Sequence, residues 1–217
     1  DSPPFFTLSP LGYLLGFTVL GKAYQLPFLS YFAQHQFSYQ IAQYWANANG
    51  PRVAELMAKV DKTLTHTYLR ESRLEMIQAR IAREYQRWFP WCENLPLSAH
   101  LHTVLARLKQ IHRWTRADIK QLREDYIQSQ LIKFADYFEH VESNPLTEKQ
   151  RRACIIDDNN NLLLAGAGTG KTSVMVGRAG YLLKSGQAKA DEILLLAYGR
   201  KAADEMDARI KSRLGTD

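Results

Sequence analysis

At 217 residues, with 46% hydrophobic and 11% aromatic side chains, the chain has enough apolar material for a core in one or two domains, which excludes a disordered tail. Its 28 Lys and Arg against 22 Asp and Glu leave a formal charge of +6, a balance that suits a polyanionic partner such as nucleic acid, although many soluble proteins share it. Cys92 and Cys154 stand alone at no metal-ligand or redox spacing, as expected of a reducing, cytoplasmic compartment.

The stretch from Leu11 to Phe32 is apolar, but Lys22, Gln25 and Pro27 interrupt it, and neither a basic lead nor a cleavage site flanks it. It reads as strands of a soluble core, not as a membrane span. Residues 17–26 form a candidate hairpin turning at Gly21-Lys22 and ended by Pro27, and residues 1–35 as a whole are expected to be a small β element. Because the chain opens on Asp1 and stops at Asp217 just after a helix, this element is expected to belong to a truncated N-terminal domain of a longer protein.

From residue 36 the pattern turns helical. Phe37, Ile41, Tyr44 and Trp45 share a face, and Asn49-Gly50-Pro51 predicts a stop followed by a start. Val53, Leu56, Met57, Val60, Leu64 and Tyr68, then Met76, Ile77, Ile81, Tyr85 and Trp88, recur at three and four, predicting one very long helix or two that end at Pro90. Leu95 to Arg113 and Thr115 to Val141 extend the helical region, the second opened by a capping candidate at Thr115 and Asp118. Residues 36–142 are thus expected to pack as a helical bundle or hairpin. Arg70, Arg73, Arg80, Arg83 and Arg87, with Trp88 and Trp91 nearby, offer a DNA-contacting face. The interleaved Glu71, Glu75 and Glu84 equally fit a solvated, salt-bridged one.

After Ser143-Asn144-Pro145 the texture changes to an α/β alternation, and residues 143–217 are read as the incomplete start of a nucleotide-binding domain. A short apolar run, Asn161 to Ala165, leads into Gly166, Ala167, Gly168, Thr169, Gly170, Lys171 and Thr172, and a helical stretch follows to a stop at Ser185-Gly186. This predicts strand, glycine-rich turn and helix, the setting of a phosphate-binding P-loop. Glycines let the backbone N–H groups wrap closely around phosphate, and the helix adds its positive N-terminal end. Lys171 supplies a mobile charge to the β- and γ-phosphates, and the Thr172 hydroxyl can ligate Mg²⁺, so ATP and Mg²⁺ are the expected cofactors. Ala165 through Ser173 are the expected ATP-binding stretch, with Lys171 and Thr172 as its catalytic members.

The flanks narrow the class of NTPase. Upstream, Asn144-Pro145-Leu146-Thr147 with Gln150 and Ala153 resembles the L-[NT]-x-x-Q-x-x-A entry of UvrD-like superfamily 1 helicases. The loop itself resembles their A-G-A-G-[ST]-G-K-T, in which Ala165 is the accepted first residue. Downstream, Ile193 to Met206 resembles their motif Ia, usually I-L-x-x-T-F-T-N-K-A-A-x-E-M, with Tyr198 in place of Phe and with Ala197, Gly199 and Arg200 departing from the usual form. Ser173 stands where many of these enzymes carry an Arg.

The resemblance covers roughly the last third of the chain and implies a RecA-like α/β start. Gln150 would then read adenine through its amide, although Thr147 and Gln150 also fit a capping box. Tyr198 would stack on an unpaired base, and Arg200 and Lys201 would meet backbone phosphates. The implied activity is ATP-dependent 3′-to-5′ translocation and unwinding by the full-length enzyme, on single-stranded DNA and its junctions with duplex and with no membrane involved. The fragment alone, without a Walker B carboxylate, is expected to be inactive. Asp191-Glu192 mimics such a box, but at the start of the expected strand instead of its end. Two other readings stay open: another P-loop NTPase, such as a nucleotide kinase or AAA+ type, and an N-terminal protein-interaction module with the P-loop as passenger.

Overall fold

The structure is a computed structural model that describes residues 27–89, 92, 97–166 and 168–215, with side-chain surroundings from residue 39 onwards. Its helices are α1 (Pro27–His66), α2 (Glu71–Trp88), α3 (Ala99–His112), α4 (Arg116–Lys133), α5 (Ala135–His140), α6 (Glu148–Ile155), α7 (Lys171–Lys184) and α8 (Arg200–Leu214), with a 3₁₀ turn at Ala190–Glu192 ahead of α8. No strand occurs among the described residues. Over the described residues the expected mixed architecture, with a small β element and the start of an α/β domain, is therefore corrected to a helical one.

The physical reason lies in what an apolar run can specify. A strand exists only when its backbone groups bond to a neighbour, and hydrophobicity alone does not provide one. Leu162 and Leu164 are each 84% exposed, and Leu194 and Leu196 are 80% and 75% exposed, so two stretches that look like buried strands run outside any sheet with these side chains in solvent. Around residue 195 the alternation survives without a ladder, with Ile193, Leu195 and Ala197 half-buried and Leu194, Leu196 and Tyr198 exposed.

The hairpin expected at residues 17–26 lies outside the described residues. Residues 27–35, assigned to the same β element, instead begin α1. Pro27 does not end a strand; it opens the helix, where a missing N–H and a fixed φ are tolerated. The stop expected at Asn49-Gly50-Pro51 is also absent, since α1 continues with Pro51 inside it. Packing on both sides of the proline offsets the lost backbone bond: Ala46 and Val53 are buried, and Trp45 meets Trp88 edge to face at 4.6 Å. Gly50 is buried too, and a Cβ there would stand 3.2 Å from Leu101.

The long periodic run resolves into two helices separated by Thr67–Arg70. The capping box at Thr115 forms, with the Asp118 carboxylate accepting from the Thr115 N–H at 2.8 Å. Where one helical stretch is expected from Thr115 to Val141, Phe134 divides α4 from α5. Glu71 does not pair along its own helix; its carboxylate accepts from Arg123 on α4 at 2.8 Å. Arg73 donates to Thr67, and Trp91 lies outside the described residues.

The chain divides into two compact units, Asp1–Glu55 with Gln86–Ala106, and Leu56–Tyr85 with Arg107–Asp217. The second unit holds the glycine-rich loop. Its core gathers Tyr68, Tyr126, Ile127, Phe138, Val141, Leu146, Cys154, Ile155, Val174 and Tyr181, so α4, α5, α6 and α7 share one apolar centre. Tyr181, fully buried, keeps its hydroxyl satisfied by donating to Gln130 and accepting from Gln187, each at 3.1 Å. Burial pushes the Cys154 thiol up to about 12, as expected of an inert core cysteine.

Candidate nucleotide site

Helices α6 and α7 flank the loop and pack on each other through Cys154, Ile155 and Val174. Two glycines shape the loop itself, Gly168 with φ +75° and Gly170 with φ +84°. L-residues with a side chain rarely adopt that region. At Gly170, the N-cap of α7, the restriction is doubled, because a Cβ would fall 2.6 Å from Nε2 of Gln150. Thr169 closes the turn by donating its hydroxyl to the Gly166 carbonyl at 2.8 Å. Ala167 lies outside the described residues.

Helix α7 then points its first, unbonded N–H groups at the loop, and no acidic residue in its first turn neutralises its positive end. Lys171 is exposed and folds over the loop, donating to the carbonyls of Ala165 at 3.0 Å and Gly166 at 2.7 Å. An ammonium has three donors, so one remains for a phosphate oxygen. Thr172 and Ser173 follow, both half-buried. Thr172 carries one hydroxyl, an oxygen ligand of the kind a hard cation such as Mg²⁺ takes. The residues present therefore fit a magnesium-bound triphosphate.

Gln150 serves as a cap and also bonds the loop. Its Oε1 accepts from the Thr147 N–H at 2.8 Å and from the Thr147 hydroxyl at 3.0 Å, completing the capping box of α6. Its Nε2 donates to the Thr169 carbonyl at 3.1 Å. The cap thus holds the amide against the loop.

At the other end, Tyr198 closes the second apolar stretch, fully exposed, and Gly199 caps α8. Arg200 and Lys201 open that helix, both exposed, with no acidic residue in the first turn. Cations at a helix N-terminus are electrostatically misplaced for stability. Asp191 and Glu192 lie in the 3₁₀ turn, where the Glu192 carboxylate accepts from the Lys189 N–H at 2.8 Å. Composition and spacing gave no sign of one cluster near the loop. Asp157, 8% exposed, is gripped by Arg70 and by Arg178 of α7. The signals available were an Arg within an otherwise apolar helix face and a paired Asp157-Asp158 just after α6.

Residues 146–217 match the family model described as UvrD/REP helicase N-terminal domain. Among characterised proteins, the chain is 53% identical to DNA helicase IV of Escherichia coli over 97 residues, 45% of this chain and 14% of that protein. It is 42% identical to DNA helicase II of Salmonella typhimurium and 41% identical to DNA helicase II of Escherichia coli, each over 71 residues, 33% of this chain and 10% of the relative. The matched stretch thus spans 10% to 14% of these relatives' length. No solved structure matches the chain. Over residues 146–217 the chain is thus similar to the UvrD/REP helicase N-terminal domain.

Proposed function

We propose that the protein is an ATP-dependent DNA helicase that moves 3′ to 5′ along single-stranded DNA, and that residues 143–217 supply part of its nucleotide site. The observation that carries this reading is the placement of the Gln150 amide against the glycine loop, bonded to Thr169. A general phosphate site needs Lys171 and Thr172; an amide held beside the loop adds a group that could also read a base. An amide can pair with the N6 and N7 edge of adenine. The relatives named as DNA helicases support the same assignment. Ala165 to Ser173 would cradle the phosphates, Lys171 would neutralise the β- and γ-phosphates, and Thr172 would hold Mg²⁺.

Two substitutions at Gln150 separate capping from base recognition. Gln150→Glu keeps an acceptor for the Thr147 N–H, and a capping box tolerates it, but it loses the donor to Thr169. Both Gln150→Glu and Gln150→Ala should raise the ATP requirement of the full-length protein and relax its preference for adenine nucleotides. Only Gln150→Ala should also lose about 1 kcal/mol of stability. Steady-state hydrolysis of ATP and GTP, with melting curves, checks this. Equal loss for both nucleotides together with a lowered melting point in Gln150→Ala, and wild-type behaviour in Gln150→Glu, would reduce Gln150 to a cap.

The proposed DNA contact is tested at Tyr198 and Lys201. The ring of Tyr198 is free of core packing and stands at the mouth of α8, where Arg200 and Lys201 leave uncompensated positive charge. Tyr198→Ala should weaken single-stranded DNA binding by about 1–3 kcal/mol with little change in salt dependence. Lys201→Ala should make the salt slope shallower by about 0.7. Titrating labelled single-stranded DNA into the full-length proteins at several salt concentrations reads both quantities. Wild-type affinity and slope in both variants would remove the DNA contact from this segment.

A further inference from the structure

We propose that Asp157 is a positioning residue through which the turn between α1 and α2 sets the geometry of the nucleotide site. This rests on the nucleotide reading above and adds a control point to it.

Asp157 lies two positions after the end of α6, the helix that carries Gln150. One carboxylate oxygen accepts from Arg178 at 2.9 Å, and the other accepts from Nε of Arg70 at 2.8 Å and from its Nη2. Nε of Arg70 also reaches the Asp157 carbonyl at 3.0 Å. Arg178 donates in addition to the carbonyls of Cys154, at 3.3 Å, and Ile156, so its guanidinium is fixed to the exit of α6. Arg178 stands seven positions beyond Lys171 on α7, two turns along the same face. A helix is stiff over two turns, so a roll or slide imposed at Arg178 reaches Lys171. One buried carboxylate therefore ties together the helices on either side of the loop, one bearing Gln150 and the other Lys171.

The third partner, Arg70, comes from a remote part of the sequence. Its turn is seated by neighbouring contacts: the Glu71 N–H donates to Asp158 at 2.9 Å, Ser72 donates to Asn159 at 2.8 Å, and Arg123 donates to the Leu69 carbonyl at 2.8 Å. Of these, only Arg70 touches the carboxylate that holds Arg178. A buried carboxylate facing one guanidinium is less well compensated than one facing two. Withdrawing Arg70 should therefore let Asp157 and Arg178 rearrange, and α6 and α7 shift against each other at the loop. Motion of the turn between α1 and α2 is in this way linked to ATP affinity.

The test uses the full-length protein and compares wild type, Arg70→Ala, Asp157→Asn, Arg123→Ala and Lys171→Ala by titration with a fluorescent ATP analogue, steady-state ATPase and thermal melting. Arg70→Ala and Asp157→Asn should raise the analogue Kd and the KM for ATP by about three- to tenfold while kcat at saturating ATP stays within about twofold. Arg123→Ala, which unseats the same turn without touching Asp157, should lower the melting point and leave KM alone. If Asp157→Asn does not fold, Arg70→Ala still decides, because the Arg70 side chain is 42% exposed and its loss leaves no cavity. A wild-type KM in folded Arg70→Ala overturns the inference alone. Failure of the wild type to bind the analogue, or equal binding by Lys171→Ala, overturns the nucleotide reading as well.

Discussion

Lys171→Ala is expected to lower ATP hydrolysis by the full-length protein by about 10²–10³-fold or more while leaving the fold intact. The side chain contributes no core packing: it is exposed, and its bonds run to two carbonyls of its own loop. What it supplies is charge, at the place where the first N–H groups of α7 and the glycine turn converge. Replacing it removes a preorganised cation from the phosphates, and water cannot restore one. Steady-state ATPase with far-ultraviolet circular dichroism and melting curves checks both halves of the prediction. Undiminished hydrolysis in a folded variant would remove the phosphate role from this loop.

Phe138→Ala should have a large effect on stability, a loss of about 3–5 kcal/mol. Phe138 is fully buried, its ring stacks on Tyr181 at 6.0 Å between centroids, and its carbonyl accepts from the Leu146 N–H at 3.1 Å. It therefore joins α5 to α7 and anchors the approach to α6. The site cannot collapse readily, because the rings of Tyr137 and Tyr181 and the side chain of Leu146 are held by their own bonds and contacts. A cavity should remain. Ile132→Ala, at a position 79% exposed, should change stability by less than about 0.5 kcal/mol. Urea midpoints for the two variants measure the contrast, and similar midpoints would show that Phe138 lies outside the cooperative core.

Features that depend on a few adjacent residues were legible in the sequence. Thr115 and Asp118 form their capping box because both partners lie within one turn. The helix after the glycine loop stops at Ser185 and Gly186, and Gly186 takes φ +70°. The glycine at position 170 is required for reasons that spacing anticipates, a positive φ and a close approach. At Gln150 the sequence left two meanings, and the side chain serves the cap while its amide faces the loop.

What failed depended on distant partners. Asn49-Gly50-Pro51 has every local mark of a helix stop, yet burial of Ala46 and Val53 carries α1 through it. The apolar runs near Leu163 and Leu195 have the composition of strands but no ladder partner among the described residues. The Asp157 cluster joins residues 87 positions apart, a pairing that no local pattern encodes. The arginine-rich stretch from Arg70 to Arg87 was ambiguous for the same reason: Arg70 and Glu71 find their partners on other segments.

The most direct test of the account is ATP hydrolysis by the intact protein, measured with and without single-stranded DNA. If Gln150, Lys171 and Thr172 form an adenine nucleotide site and Tyr198 with Lys201 contacts DNA, hydrolysis of ATP should rise severalfold on adding single-stranded DNA. The rise should be lost in Lys171→Ala and require more DNA in Tyr198→Ala. Hydrolysis that is indifferent to single-stranded DNA, or that serves all nucleoside triphosphates equally, would contradict the helicase assignment.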